Sequence, residues 1–465
     1  MPLWREVWKI IRELRDGFER QQTFLWFAVA VAGFCTRGDL AGVSSFIRGL
    51  GLGERYYCSL VGFFGSNAIR LDRLTELWVA LVMRLFPLIR MHGRIILVAD
   101  GIKISKEGRK MPGVKLLHQD SQSNSKAEYI MGHSIQAVSV LAGTESHALA
   151  VPLTARIHEG MVLSNRSTQT LLDKLSHLIN SLSLAMPYYL IADAYYASGP
   201  FALQCLSTNN HLITRVRNNA VAFEKPPKKS KATRGRPKVY GLKVSLRSLF
   251  DDLSAFTTTV SQVYNEDQKE IRYLVRDLYW RSAQRVMRFV LVAHPLRGRI
   301  ILMSTDLSLN ALDIIKLYSL RFKIEISFKS ACHSVGVYSY HFWSIVMKRL
   351  KRGAGDQHLH KESEQYREAV LRKLAAYHTF IQTGIIAQGI LLYLGLTHTA
   401  LVWKSFGSWL RTIRPNVPPS EMVVMLALKN TYPQFLAGSA ETSDLHKFIR
   451  NRLDPTRGKQ FSLAA

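Results

Sequence analysis

The chain has 465 residues, 47% of them hydrophobic and 21% charged, which provides for a sizeable core in two or three domains and excludes a disordered polypeptide. Its 62 Lys and Arg stand against 34 Asp and Glu, a formal charge of +28, and such an excess repels itself unless a polyanion shares the surface. Nucleic acid is the commonest such partner, with a ribosomal or membrane surface as the alternative.

Four scattered cysteines, Cys35, Cys58, Cys205 and Cys332, form no CxxC pair; this argues against a disulfide framework or a zinc finger and fits a reducing cytoplasm. Residues 1–90 are expected to be helical. Trp8, Ile11 and Leu14 keep helical spacing among Arg5, Lys9, Arg12 and Arg15, and Leu74, Leu77, Leu81 and Leu85 repeat the pattern. The charged N-terminal segment has no signal-peptide core. The apolar run 24–35 is too short for a bilayer, and 380–396 is interrupted by Gln382, Gln388 and three glycines. Both read as buried helices, and no membrane partner is expected.

The texture changes at RIILVAD (94–100), a β-branched strand ending in Asp100. Two more strands follow over 133–143 and 146–157, then a helix over 167–182 and the strand PYYLIAD (187–193), ending in Asp193. The segment 91–211 is thus the first part of a mixed sheet with flanking helices. A basic run, KPPKKSKATRGRPK (225–238), interrupts a stretch, 212–305, that otherwise alternates as a β-rich insertion. Residues 306–345 return to a helix carrying Glu325, and 346–465 form a helical C-terminal region.

Asp100 and Asp193 each follow an apolar strand and an alanine. An aspartate capping a turn accounts for either one alone. Two in matching contexts also suit phosphodiester chemistry, in which two Mg²⁺ or Mn²⁺ ions held by carboxylates activate a nucleophile and neutralise the leaving oxygen. In LYSLRFKIEISFKSA, Tyr318, Arg321, Glu325, Phe328 and Lys329 recur at three- and four-residue steps, so one helix face carries them while Leu317, Leu320 and Ile324 turn to the sheet. A surface Arg321–Glu325 pair accounts for the charges but leaves the tyrosine unexplained.

Tyr318-x2-Arg321-x3-Glu325, after a β-rich stretch, resembles the signature of bacterial DDE transposases of the insertion-sequence-four superfamily. The resemblance implies an α/β fold with a ribonuclease H-like catalytic core and a β-rich insertion. It implies a DNA transposase that cleaves element ends and transfers strands by cut-and-paste through DNA hairpins. By position, Asp100, Asp193 and Glu325 hold two metal ions, and Tyr318 and Arg321 grip a phosphate. The partners implied are double-stranded DNA (terminal inverted repeats and target) and a second copy on that DNA, in the bacterial cytoplasm at the nucleoid. The chain departs from the pattern where a lysine is expected and Cys332 stands; Lys329 is the nearest cation.

Further DNA contacts are expected from Lys228, Lys229, Arg234, Arg236 and Lys238, whose Arg-Gly-Arg-Pro resembles an AT-hook core, although a solvated basic loop that touches phosphates without reading sequence is the preferred reading of the residues. Lys348, Arg349, Lys351 and Arg352 form a second cluster, read either as a DNA clamp or as the charged end of a helix. Trp280, Tyr340 and Trp343 are candidates for stacking on an unpaired base. His158-Glu159-Gly160 lacks the second histidine of a zinc protease and reads as a strand-end turn. Asp306 is the strongest substitute for one of the three acids. A nuclease that does not join DNA, and a transposase-derived binding protein without catalysis, are the rival readings.

Overall fold

A computed structural model of the chain describes residues 2–119, 127–144, 147–226, 238–264, 266, 269–409, 411–438 and 443–456. Its centre is a mixed sheet whose first five long strands are β1 (Arg94–Ser105), β2 (Tyr129–Gly143), β3 (Ala148–Ile157), β4 (Tyr188–Ala192) and β5 (His211–Arg215). They lie in the order β3-β2-β1-β4-β5. β1 is antiparallel to β2, as is β2 to β3, whereas β4 runs parallel to both β1 and β5. This order with these directions is that of a ribonuclease H-like core.

Strand β1 does not end at Asp100. Ile102 and Ile104 carry the alternation onward, paired with Ile135 and His133 of β2, so the acid sits within a strand. Alternation also assigns the faces. Ile95, Leu97 and Ala99 join the large core under the helical regions, whereas Ile96 and Val98 pack with Leu317, Leu320 and Ile324. The apolar side of the Glu325 segment therefore lies on the sheet, as its spacing predicts.

The insertion continues this sheet. Strands β6 (Val221–Phe223), β7 (Lys243–Ser245), β8 (Thr257–Val260), β9 (Glu270–Trp280), β10 (Arg285–His294) and β11 (Gly298–Ser304) follow β5 in sequence. β11 pairs antiparallel with β5, Leu302 opposite Arg215, and β10 and β9 extend the ladder outward.

The two flanking helical regions share one apolar core. Trp4 donates its indole N–H to the Leu428 carbonyl at 3.1 Å, the Tyr432 hydroxyl donates to the Leu50 carbonyl at 2.9 Å, and Phe34 and Phe46 pack on Phe380. The 34-residue helix Glu364–Thr397 runs through this core. It has the length and apolarity of a membrane span, yet 83% of its most apolar window is covered by the fold. Gly389 permits one of its closest contacts, since a Cβ there would fall 2.1 Å from the Trp78 ring, and the Trp78 indole donates to the Pro152 carbonyl of β3 at 3.0 Å. Gly389→Val should therefore lower the unfolding free energy by about 1–3 kcal/mol through overpacking. Urea titration checks this, and an unchanged midpoint would contradict so close an approach.

Candidate active site

The register of the parallel pair β1/β4 brings the first two acids together. Val98 stands opposite Ile191, so two residues further on Asp100, still within β1, and Asp193, the first residue past β4, come near enough for their charges to interact. The Asp100 Oδ1 accepts the Gly101 N–H at 2.8 Å. The Asp193 Oδ1 accepts the Ala194 N–H at 2.7 Å and caps the 3-10 turn Ala194–Tyr196.

The third acid arrives on a segment that is not the single regular helix expected from its spacing. An α-helix over Ala311–Ser319 gives way to a 3-10 turn at Leu320–Phe322; an α-helix resumes over Lys323–Ser330, and a π-turn closes it at Ala331–Val335. The tighter turn leaves Tyr318, Arg321 and Glu325 on the side of the two aspartates. Arg321 is the bridge between strand and helix: its Nη1 donates to Asp100 Oδ2 at 2.9 Å, and its Nη2 donates to Glu325 Oε1.

Charge and burial pull against each other here. Burial lifts the Asp100 carboxyl to about 6 against the pull of Arg321 and the Gly101 amide, while Asp193 and Glu325 push it the same way as burial. Burial would lower the Arg321 guanidinium, but Asp100, Glu325, Tyr318 and Asp193 hold it above its ordinary value. Burial pushes the Tyr318 hydroxyl up to about 12, so it stays a neutral donor beside Arg321.

Two cavities flank the carboxylates. One, of about 620 Å³, is lined by Asp193, Arg215, Arg297, Tyr318 and Arg321 with the rings of Tyr264 and Phe322. The other, of about 540 Å³, is lined by Asp100, Lys103, Gln136, Glu159, Tyr195 and Tyr196. Sequence reasoning missed Arg215, at the end of strand β5, and Arg297, in the turn between β10 and β11, neither of which carries a local signal. It passed over Tyr195 and Tyr196 although they follow Asp193 and Ala194 directly.

Asp306 does not join this cluster. It is buried, its Oδ2 accepts the Tyr189 hydroxyl at 2.6 Å, and its Oδ1 accepts the Ser308 N–H and hydroxyl at 2.8 and 2.6 Å. Burial raises its pKa, but the bonds from Ser308 and Tyr189 outweigh that and hold it down near about 2. A carboxyl held below its ordinary value contributes stability that is present above about pH 4 and lost as pH falls toward 2. Asp306→Asn should therefore cost about 1–3 kcal/mol at neutral pH and flatten the acid limb of the stability curve. It should leave cleavage per folded molecule unchanged, and loss of cleavage in folded variant would place Asp306 in the chemistry after all.

The remaining predicted residues fall apart in space. Lys329 is exposed one turn beyond Glu325, and Lys238 is exposed at the margin of the basic run; Lys228, Lys229, Arg234 and Arg236 lie outside the described residues. Tyr340 is fully buried, its hydroxyl paired with His133 Nδ1 at 2.7 Å, so it is not a base-stacking surface. Trp280 is half-buried and Trp343 is exposed. Residues 348–352 are not the end of a helix, because the chain from 336 to 356 is irregular. His158 follows the last residue of β3, and Gly160 has φ +94°, a strand-end turn. Cys332, where the resembled family carries lysine, lies near enough to Lys106 to share its field. The Lys106 ammonium is spent on the carbonyls of Tyr338 and Tyr340 at 2.6 and 3.0 Å.

The donors suit a hard divalent ion in type, since Asp100, Asp193 and Glu325 offer carboxylate oxygens. Their placement is less complete. Among the described residues no three His, Cys, Asp or Glu side chains stand close enough to share one ion, and the space between Asp100 and Glu325 is spanned by Arg321.

A ribonuclease H-like sheet with two acids brought together by its parallel central strands, and a third on a helix against that sheet, defines a class of metal-dependent nucleic-acid enzymes. The family model described as DDE superfamily endonuclease matches residues 13–284, more than half of the chain, and the chain belongs to that family. Endonucleases of this superfamily typically use divalent metal ions. The match includes Asp100 and Asp193 and ends before the Glu325 helix. No curated protein matches the sequence. Among solved structures, the chain is similar to the piggyBac transposase synaptic complex with hairpin DNA, determined by cryo-electron microscopy. The identity is 13% over 96% of this chain and 83% of that chain, with a TM-score of 0.32, too loose a likeness to support an argument.

Proposed function

We propose that this endonuclease is the transposase of a bacterial insertion sequence, related to the insertion-sequence-four superfamily, cutting DNA at the element's ends and joining the freed strand to a target. The observation that carries the reading is the convergence of Asp100 within β1 and Asp193 just past the end of β4, whose strands pair in parallel, with Glu325 tethered to Asp100 through Arg321. Asp100, Asp193 and Glu325 would hold the ions. Bound there, Mg²⁺ or Mn²⁺ supplies an activated oxygen nucleophile and neutralises charge on the leaving oxygen.

The chain's own groups supply the rest. Arg321 offers a planar fork of donors and Tyr318 a neutral hydroxyl, both suited to a phosphate beside the carboxylates. Arg215 and Arg297, the latter paired with Glu266, line the larger cavity and offer donors to phosphate, and Tyr264 and Phe322 give it a face for a base. A step through a DNA hairpin, two copies on paired inverted repeats, and work at the nucleoid in the cytoplasm belong to the same reading.

The test is cleavage of the DNA encoding this protein with its flanks, comparing the unaltered chain with Glu325→Gln. Excision with hairpin ends in Mg²⁺, lost in the variant, supports both the reading and the third acid. Nicking without joining makes the protein a nuclease. Cleavage that survives Glu325→Gln shows that another acid completes the set, and a folded, DNA-binding but inert protein would be a binding protein that has lost catalysis.

A further inference from the structure

The irregular stretch after the Glu325 helix displays an apolar ridge in solvent. Trp343, Ile345 and Val346 are 60, 84 and 59% exposed, whereas Ser344 and Met347 between and beyond them are buried. Exposed apolar groups on a slack loop need no explanation, but this ridge is braced along its length. The Ser344 N–H donates to the Lys110 carbonyl and the Lys110 ammonium to the Ile345 carbonyl, both at 3.0 Å. The Leu350 N–H and the Arg109 carbonyl bond at 2.8 Å, and the Tyr377 hydroxyl holds the Phe342 carbonyl at 2.8 Å. A rigid backbone thus holds three apolar side chains in water, a placement that marks an interaction surface.

The surroundings say what kind. Arg349, Lys351 and Arg352 are exposed and form no salt bridge among the described residues, and exposed Arg109 lies on the bracing segment. Two acids near them are already engaged, Glu362 by Lys348 at 2.7 Å and Asp356 by Lys115 at 2.9 Å. A second copy meeting this patch about a twofold axis would set those free cations against themselves. A polyanion with apolar edges between its charges fits instead, and duplex DNA has phosphates outside and stacked bases within.

The ridge is also tied to the reaction centre. Strand β1 runs about 17 Å from Asp100 to Ser105, and the next residue, Lys106, binds the Tyr338 and Tyr340 carbonyls just before the ridge. We propose that Trp343, Ile345 and Val346 form a wedge that enters a base step of duplex DNA while the flanking cations hold its phosphates, unstacking that step at a fixed offset from the acids. This rests on the reading of the protein as a DNA-cleaving enzyme. Apolar side chains used in this way kink a duplex and set its path over the protein.

The test uses the full chain without metal and a 40-base-pair duplex drawn from the DNA flanking its coding sequence, with 2-aminopurine placed at successive positions. The unaltered protein should bind and raise fluorescence at one step. A Trp343→Ala, Ile345→Ala double variant should keep its melting temperature, lose that fluorescence rise and bind about tenfold more weakly, the scale of one lost stacking contact. Replacing Arg349, Lys351 and Arg352 by glutamine should instead flatten the salt dependence by about 2–3 in log–log slope and retain the fluorescence rise at saturation. Equal affinity and an undiminished rise in the double variant would overturn the wedge. So would a double variant that binds DNA normally but changes from dimer to monomer in light scattering, which would make the ridge an interface between copies. If the unaltered chain binds no duplex, it is the DNA-cleaving reading that fails.

Discussion

Asp100→Asn and Asp193→Asn, made singly, should each reduce metal-dependent DNA cleavage by at least about a thousandfold while changing DNA affinity by no more than about twofold. The two acids lie close enough to interact, one within β1 and one just past β4, and an amide in place of either carboxylate removes the anionic oxygen proposed as a ligand without changing shape. Asp100 carries a second expectation. Its carboxyl is lifted to about 6, burial being the largest cause, against about 3.9 in an unfolded chain. A carboxyl raised in the folded state contributes stability that is complete below about pH 4 and lost as pH rises through about 6. At pH 8 without metal, Asp100→Asn should therefore melt higher than the unaltered protein, and the gap should close at pH 4. Mg²⁺ should raise the melting temperature of the unaltered protein and leave that of Asp100→Asn where it was. A variant that melts lower at pH 8, or gains as much from Mg²⁺, would mean that Asp100 serves the fold rather than an ion. Sites built for chemistry commonly give up stability in this way.

Most of the architecture was legible because apolar alternation is a local property. The runs around Ile96 and Val98, Leu190 and Ile191, and Leu317, Leu320 and Ile324 announce which faces are buried. The residues that break each run, Asp100, Asp193 and Glu325, stand where burial stops being the only use of a side chain. What the sequence hid depends on long-range pairing. Nothing near Arg215 tells that β5 lies beside the Asp193 strand, and nothing near Leu302 tells that the insertion extends that same ladder. The 3-10 turn at Leu320–Phe322 was hidden for a similar reason, since helical spacing looks alike whether a segment is regular or tightens for one turn. Tyr340 shows the limit for aromatics: only the fold distinguishes it, sealed against His133 and Tyr377, from Trp343, three residues on and in solvent.

Arg321→Gln should move two measurements in opposite directions. The guanidinium is engaged by Asp100 on one side and Glu325 on the other, so in the metal-free protein it neutralises the carboxylates proposed to hold an ion. Removing it leaves those anions uncompensated, and Mn²⁺ binding in the absence of DNA, followed by calorimetry or electron paramagnetic resonance, should tighten about tenfold or more, as expected when a competing charge within hydrogen-bond reach is lost. Cleavage should nevertheless fall by about a hundredfold or more if, as proposed, this planar donor fork serves the scissile phosphate in the transition state. Arg321→Lys keeps the charge but not the fork, so it should preserve weak metal binding while still impairing cleavage. A guanidinium with a purely structural role predicts something else: a lower melting temperature, with metal affinity and cleavage declining together. Unchanged Mn²⁺ affinity in Arg321→Gln would show that the bridge between strand and helix does not stand in the ion's place.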